Sequence, residues 1–147
     1  MRFLYCDRIL AIEAGQSIRG VKSVAFSEDM FGPHFTCDPV MPQSLMVETF
    51  AQVAGWLIVH TLGHAWSPIM TRVDGATFHD AVRPGDQLII EATIDTLRDE
   101  ASIVAGAIHR EGAEVLTVDR LLFAHHQVVD SRLRNALKAR LDRKSTR

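Results

Sequence analysis

Two side chains in the stretch Phe31 to Trp56 could move protons for a bound molecule: His34 and, fourteen residues later, Glu48. An imidazole titrates near neutral pH and suits a general base. A carboxyl set among apolar residues loses the solvation of its anion. Its pKa then rises toward the range where it can donate a proton. Each residue alone also fits a structural role: His34 as a packed loop residue between Pro33 and Phe35, Glu48 as half of an ion pair with an arginine. The other candidates are weaker. His34-x-x-Cys37 has no further ligands for a metal, and His125-His126 would point to opposite faces of a strand. A His34–Cys37 thiol–imidazole dyad lacks a local structure that would lower the thiol pKa.

The elements that must hold these groups follow from periodicity. Residues 27–41 read as loop, punctuated by Gly32, Pro33 and Pro39. Pro42 suits the first turn of a helix, which runs to about Leu62 and is stopped by Gly63. On that helix Ser44, Glu48 and Gln52, spaced by four, share one stripe on an otherwise apolar surface. The run Leu45 to Leu62 approaches membrane-spanning length, but Glu48, Gln52 and His60 interrupt it. A buried helix is expected, with no membrane span. Residues 3–12 and 17–26 read weakly as strands, and residues 68–78 as another. "QLIIEATID" alternates, with Leu88, Ile90, Ala92 and Ile94 on one face. "ASIVAGAIH" and "AEVLTVDRLLFAH" follow after short breaks, as in antiparallel hairpins. This is an α+β pattern: one antiparallel sheet curled round one dominant helix. From Asp130 onward a basic helix is expected, with Leu133, Leu137 and Leu141 in a narrow stripe and Asp130 or Ser131 as its cap.

The chain has 147 residues, enough for one domain with a core. Its net charge of −2 is unevenly placed. Residues 131–147 hold seven of the sixteen basic and one of the eighteen acidic residues, so this tail carries +6 and the body −8. That excludes a general binder of nucleic acid and confines attraction for acidic partners to the tail. Two cysteines, Cys6 and Cys37, cannot make a disulfide framework. The N-terminal segment lacks the continuous apolar core of a signal peptide. A reducing compartment, the cytoplasm, is expected.

The constellation resembles the active-site region of the hotdog-fold 3-hydroxyacyl-[acyl-carrier-protein] dehydratases. It is carried by Pro33-His34-Phe35-Thr36, Pro39-Val40-Met41-Pro42-Gln43 and Glu48-Thr49-Phe50-Ala51-Gln52, with support from the Pro84-Gly85-Asp86 turn. The similarity covers roughly residues 10–125. It departs from the family pattern at Pro33, Thr36 and Gln43, where the family has glycine, proline and glycine. The resemblance implies a hotdog domain, residues 1–130, that works as a homodimer, with a trimer of dimers as a further assembly. His34 would remove the α-proton of a 3-hydroxyacyl thioester on acyl carrier protein or coenzyme A. Glu48 of the other subunit would protonate the departing hydroxyl. The Val40 carbonyl would orient the imidazole, Gln52 would contact substrate, and no metal or redox cofactor is implied. The chemistry agrees, since dehydration needs a base at the α-carbon and an acid at the β-oxygen. Gln43, at a helix N-terminus, can offer its amide to the thioester oxygen. The family uses glutamate for plain dehydration and aspartate where the double bond is also isomerised, so Glu48 points away from isomerisation. Two other readings remain: a hotdog thioesterase, which would not require His34 at this spacing, and a non-catalytic subunit that binds acyl chains.

Overall fold

Nineteen consecutive residues with apolar side chains on most sides, Gln43–Thr61, form the helix α1. Pro42 is its N-cap, with ψ 138°, one position earlier than the first-turn placement expected for it. Leu62 closes the helix, and Gly63 follows at φ +76°, a left-handed position that favours glycine. Met46, Phe50, Val53, Leu57 and Ile58 are at most 1% exposed. Burying each such side chain stabilises the fold by about 1.5–3 kcal/mol. In this computed structural model residues 5–31, 37–128 and 131–145 are described.

An antiparallel sheet wraps round α1. Its strands are β1 (Arg8–Glu13), β2 (Ser17–Ser23), β3 (Trp66–Val73), β4 (Ala76–Phe78), β5 (Gln87–Leu97), β6 (Ala101–Arg110) and β7 (Ala113–Gln127). The order across the sheet is β1-β2-β5-β6-β7-β3, with β4 also paired to β7. The alternation seen in the sequence holds: Leu88, Ile90 and Ala92 are buried, and Ile94 packs against the core. The expected strand over 68–78 is broken. β3 pairs with the end of β7 and β4 with its middle, and Gly75 at φ +91° turns the chain between them. The first strand starts later than expected. Tyr5–Asp7 is an extended strap tied to β2 by the Asp7 N–H donating to Val21 O at 2.9 Å. The second ends at Ser23 because Val24 bonds instead with the β5 approach, through Asp86 O and the Gly85 N–H.

One glycine is required by a close approach. A Cβ built on Gly106 would lie 2.0 Å from Glu91 O on the neighbouring strand β5. Gly106→Ala should therefore cost roughly 3 kcal/mol of stability. Urea denaturation reads this directly, and an unchanged midpoint would mean that the strands can part there at no cost.

A second helix, α2 (Ser131–Ser145), follows β7. Leu141 anchors it in the core at 3% exposure, and the Lys144 ammonium donates to Cys6 O. Asp130, and the side chains of Leu133 and Leu137, lie outside what is described. No helix among the described residues is long and apolar enough to cross a membrane. The edge strand β3 leaves Ile69, Met70 and Val73 exposed at 49%, 37% and 38%.

Candidate active site

The seam of α1 that the sheet does not cover carries Glu48, Gln52 and Trp56, all half-buried. Residues four apart on a helix are neighbours, and here the contact is a hydrogen bond. Gln52 Nε2 donates to Glu48 Oε1 at 2.9 Å. The same carboxamide is fixed from behind, because Gln52 Oε1 accepts the Tyr5 N–H at 2.9 Å. A backbone N–H can only donate, so the amide oxygen must face Tyr5 and the amide nitrogen must face Glu48. Among the described residues no salt bridge joins Glu48 to a cation. Glu48 and Gln52 open onto a cleft of about 320 Å³ lined also by Trp56, Pro68, Phe123 and, from α2, Arg140.

Val40 and Gln43 lie together at a different cleft, of about 390 Å³, with Met46, Phe78 and His79. The segment that carries them is held by the Met41 N–H donating to Val82 O at 2.8 Å. An ion pair between Asp38 and Arg83 ties the same segment to the turn before β5. At the rim, the Ala81 N–H and then the Arg110 guanidinium hold the Asp80 carboxyl below the usual carboxylate range. Gln43 is the first residue of α1, so its N–H has no acceptor within the helix, and no side chain caps this end. Such an amide can meet a developing negative charge.

The two clefts share no lining residue. Helix geometry contributes to this: five residues from Gln43 to Glu48 rotate the side chain by about 140° and advance it by about 7.5 Å. Glu48 with Gln52, and Val40 with Gln43, thus line two separate clefts of one chain. His34, with Pro33 and Thr36, lies outside the described residues. Among the described residues no group of three His, Cys, Asp or Glu side chains could hold a metal ion. Cys6 is buried, and burial pushes its thiol pKa up, which suppresses the thiolate. His125 is a core residue bonded to Ser102 Oγ and Asp99 O, while His126 is exposed on the other face.

Sequence reasoning missed Tyr5, Arg140 and the buried Lys22–Glu28 pair. For Lys22 a signal existed. It shares the inward face of β2 with Ile18 and Gly20, where a strand packed on a helix has no ordinary use for a cation. For Tyr5 and Arg140 there was none, because their roles depend on contacts between segments far apart in the chain.

Residues 1–119 match the family model of the FabA-like domain. The chain is 37% identical over 127 residues to the 3-hydroxyacyl-[acyl-carrier-protein] dehydratase FabZ of Thermoanaerobacter sp. (strain X514), covering 82% of this chain and 85% of that protein. Among solved structures, it resembles the dehydratase heterocomplex ApeI:P of Xenorhabdus doucetiae, with a TM-score of 0.68 at 14% identity over 92% of this chain and 90% of that one. It also resembles a hypothetical thioesterase with coenzyme A from Streptococcus pneumoniae TIGR4, with a TM-score of 0.63 at 12% identity over 82% and 85%. At these identities the two structures establish the hotdog fold and nothing finer.

Proposed function

The chain belongs to the FabA-like family, and on that premise we propose that it is a 3-hydroxyacyl-[acyl-carrier-protein] dehydratase whose sites are shared between two copies. The dehydratase activity of the FabZ relatives supports the reaction. The separation of the Glu48 cleft from the Val40–Gln43 cleft is the observation that carries the two-chain site.

Dehydration begins at the base. His34 Nε2 or Nδ1, made basic by a hydrogen bond from its other nitrogen to the Val40 carbonyl, takes the α-proton of the thioester. Negative charge moves onto the thioester oxygen, which the Gln43 N–H meets at the N-terminus of α1. The carbon–oxygen bond at the β-position breaks, and the hydroxyl leaves as water with the proton of Glu48. A trans-2-enoyl thioester remains, with an imidazolium and a carboxylate that return to their starting states by proton exchange. Gln52 keeps Glu48 aimed at the departing oxygen.

Within one chain Glu48 and Gln43 face different clefts, which supports a Glu48 supplied by the neighbouring subunit. Edge strand β3, which borders the Glu48 cleft through Pro68 and Met70, offers unpaired backbone and exposed Ile69 and Val73 to a twin copy. A two-fold contact there makes two equivalent sites. Cys6 and Cys37 are not joined in a disulfide, which agrees with a cytoplasmic setting. The exposed Lys138 and Arg140 of α2 offer positive charge to an acidic carrier.

Incubation with 3-hydroxyacyl thioesters, on acyl carrier protein and on coenzyme A, tests the assignment. Enoyl thioester is expected as product, formed reversibly. Release of free thiol would convert the reading to a thioesterase, and no reaction with either carrier would leave only acyl binding.

A further inference from the structure

We propose that Lys22 is a positioning residue for this reaction, bracing the segment that holds the acid and the segment that leads to the base. The inference rests on the two-chain site proposed above. Lys22 is 2% exposed, on β2, with its ammonium inside the protein. A buried ammonium persists only when its protons are satisfied and its charge is paired. Lys22 Nζ donates to Glu28 Oε1 at 2.8 Å and to Ser23 O at 3.2 Å. It also lies 5.6 Å from the centroid of the Tyr5 ring, within reach of a cation–π attraction.

Each contact leads to one half of the chemistry. Tyr5 is the residue whose N–H holds the Gln52 carboxamide, and Gln52 holds Glu48. On the other side, Glu28 Oε1 accepts the Ala25 N–H at 3.1 Å, and Glu28 O accepts the Phe31 N–H at 3.0 Å. Glu28 thereby sets the turn Asp29–Phe31, whose Met30 and Phe31 are buried, and from which the chain proceeds to His34 three residues later. One ammonium thus fixes Tyr5 and Glu28 relative to each other. A hydrophobic pair could fill the same space, but it would not fix direction, whereas a charged donor shared among a ring face and two oxygens does. In the dimer, the acid and the base that one Lys22 braces serve different sites, so each site depends on both copies of Lys22.

Mixed dimers test this. A His34→Ala chain paired with a Glu48→Gln chain has one working site, with its acid from the first chain and its base from the second. Lys22→Met is placed in either chain. In each placement kcat should fall by roughly tenfold or more while KM stays within about twofold, because geometry is lost and binding is not. Lys22→Arg, which keeps the charge, should lose less in both. If Lys22→Met does not fold, adding Glu28→Gln leaves no buried charge unpaired, and the same fall in kcat is expected. An unchanged kcat in either placement, or a loss explained by the amount of folded protein, overturns the proposal. The mixed dimer with Lys22 intact reports separately on the two-chain site. If that control is inactive, the shared-site reading fails, and Lys22 is judged in an otherwise unaltered protein, where an unchanged kcat of Lys22→Met overturns it.

Discussion

Glu48→Gln should lower turnover by roughly two to four orders of magnitude and leave the protein folded, and His34→Ala should do the same. The first result follows from the hydrogen bonding of the seam. Gln52 Nε2 donates to Glu48 Oε1, and a glutamine at position 48 still offers a carbonyl oxygen there. Half-burial and packing are unchanged, so folding is expected to survive. What disappears is the acidic proton, since a carboxamide cannot protonate a leaving hydroxyl. Gln52→Leu would act one step back, by releasing the carboxyl rather than removing it, and its loss should be smaller. His126→Ala, on an exposed face, is the control and should be near neutral. Circular dichroism and initial rates on one thioester substrate suffice for the comparison. Near-full activity of His34→Ala would end the His34–Glu48 dehydratase mechanism, whatever the fold.

Mixing the two inactive proteins should restore activity. When the His34→Ala and Glu48→Gln proteins are unfolded and refolded together in equal amounts, about half of the dimers are mixed. Each mixed dimer has one site with both mutations and one with neither. Recovery should therefore reach about a quarter of the unmutated activity. The structural reason is the five-residue offset along α1, which turns Glu48 away from Gln43 and places the two at separate clefts. In one chain the two line different clefts, whereas the proposed second copy across β3 would bring Glu48 to the Gln43 cleft. Sites built within single chains would give no recovery, because each would lack either the acid or the base. A refolded mixture shown to be heterodimeric yet inactive would therefore rule out the shared site.

Much of this was legible in the residues. The long helix was, because its apolar side chains leave only one polar stripe, Ser44, Glu48 and Gln52, and local periodicity encodes burial. The strand β5 was, because Leu88, Ile90, Ala92 and Ile94 fall on one face with Glu91, Thr93 and Asp95 on the other, and one face of a strand must meet the core. The His34-to-Glu48 interval also stands in the sequence and needs no coordinates to be seen.

Other features depend on which distant segments meet, and no local pattern encodes that. The break between β3 and β4 arises because both must follow one long β7, so Gly75 turns the chain within a run that reads as continuous. The aim of Glu48 depends on Gln52, and the aim of Gln52 on the N–H of Tyr5, 47 residues away. The place of Lys22 on the inward face of β2 could be read from the alternation, but its partners Glu28 and Tyr5 are set only by the packed fold. Arg140 reaches the Glu48 cleft only because Leu141 docks α2 in the core. Residue types and spacing set which groups are available for chemistry. Burial and hydrogen bonding between remote segments set where those groups point, since a donor or charge removed from water must find its partner wherever the packed chain supplies one.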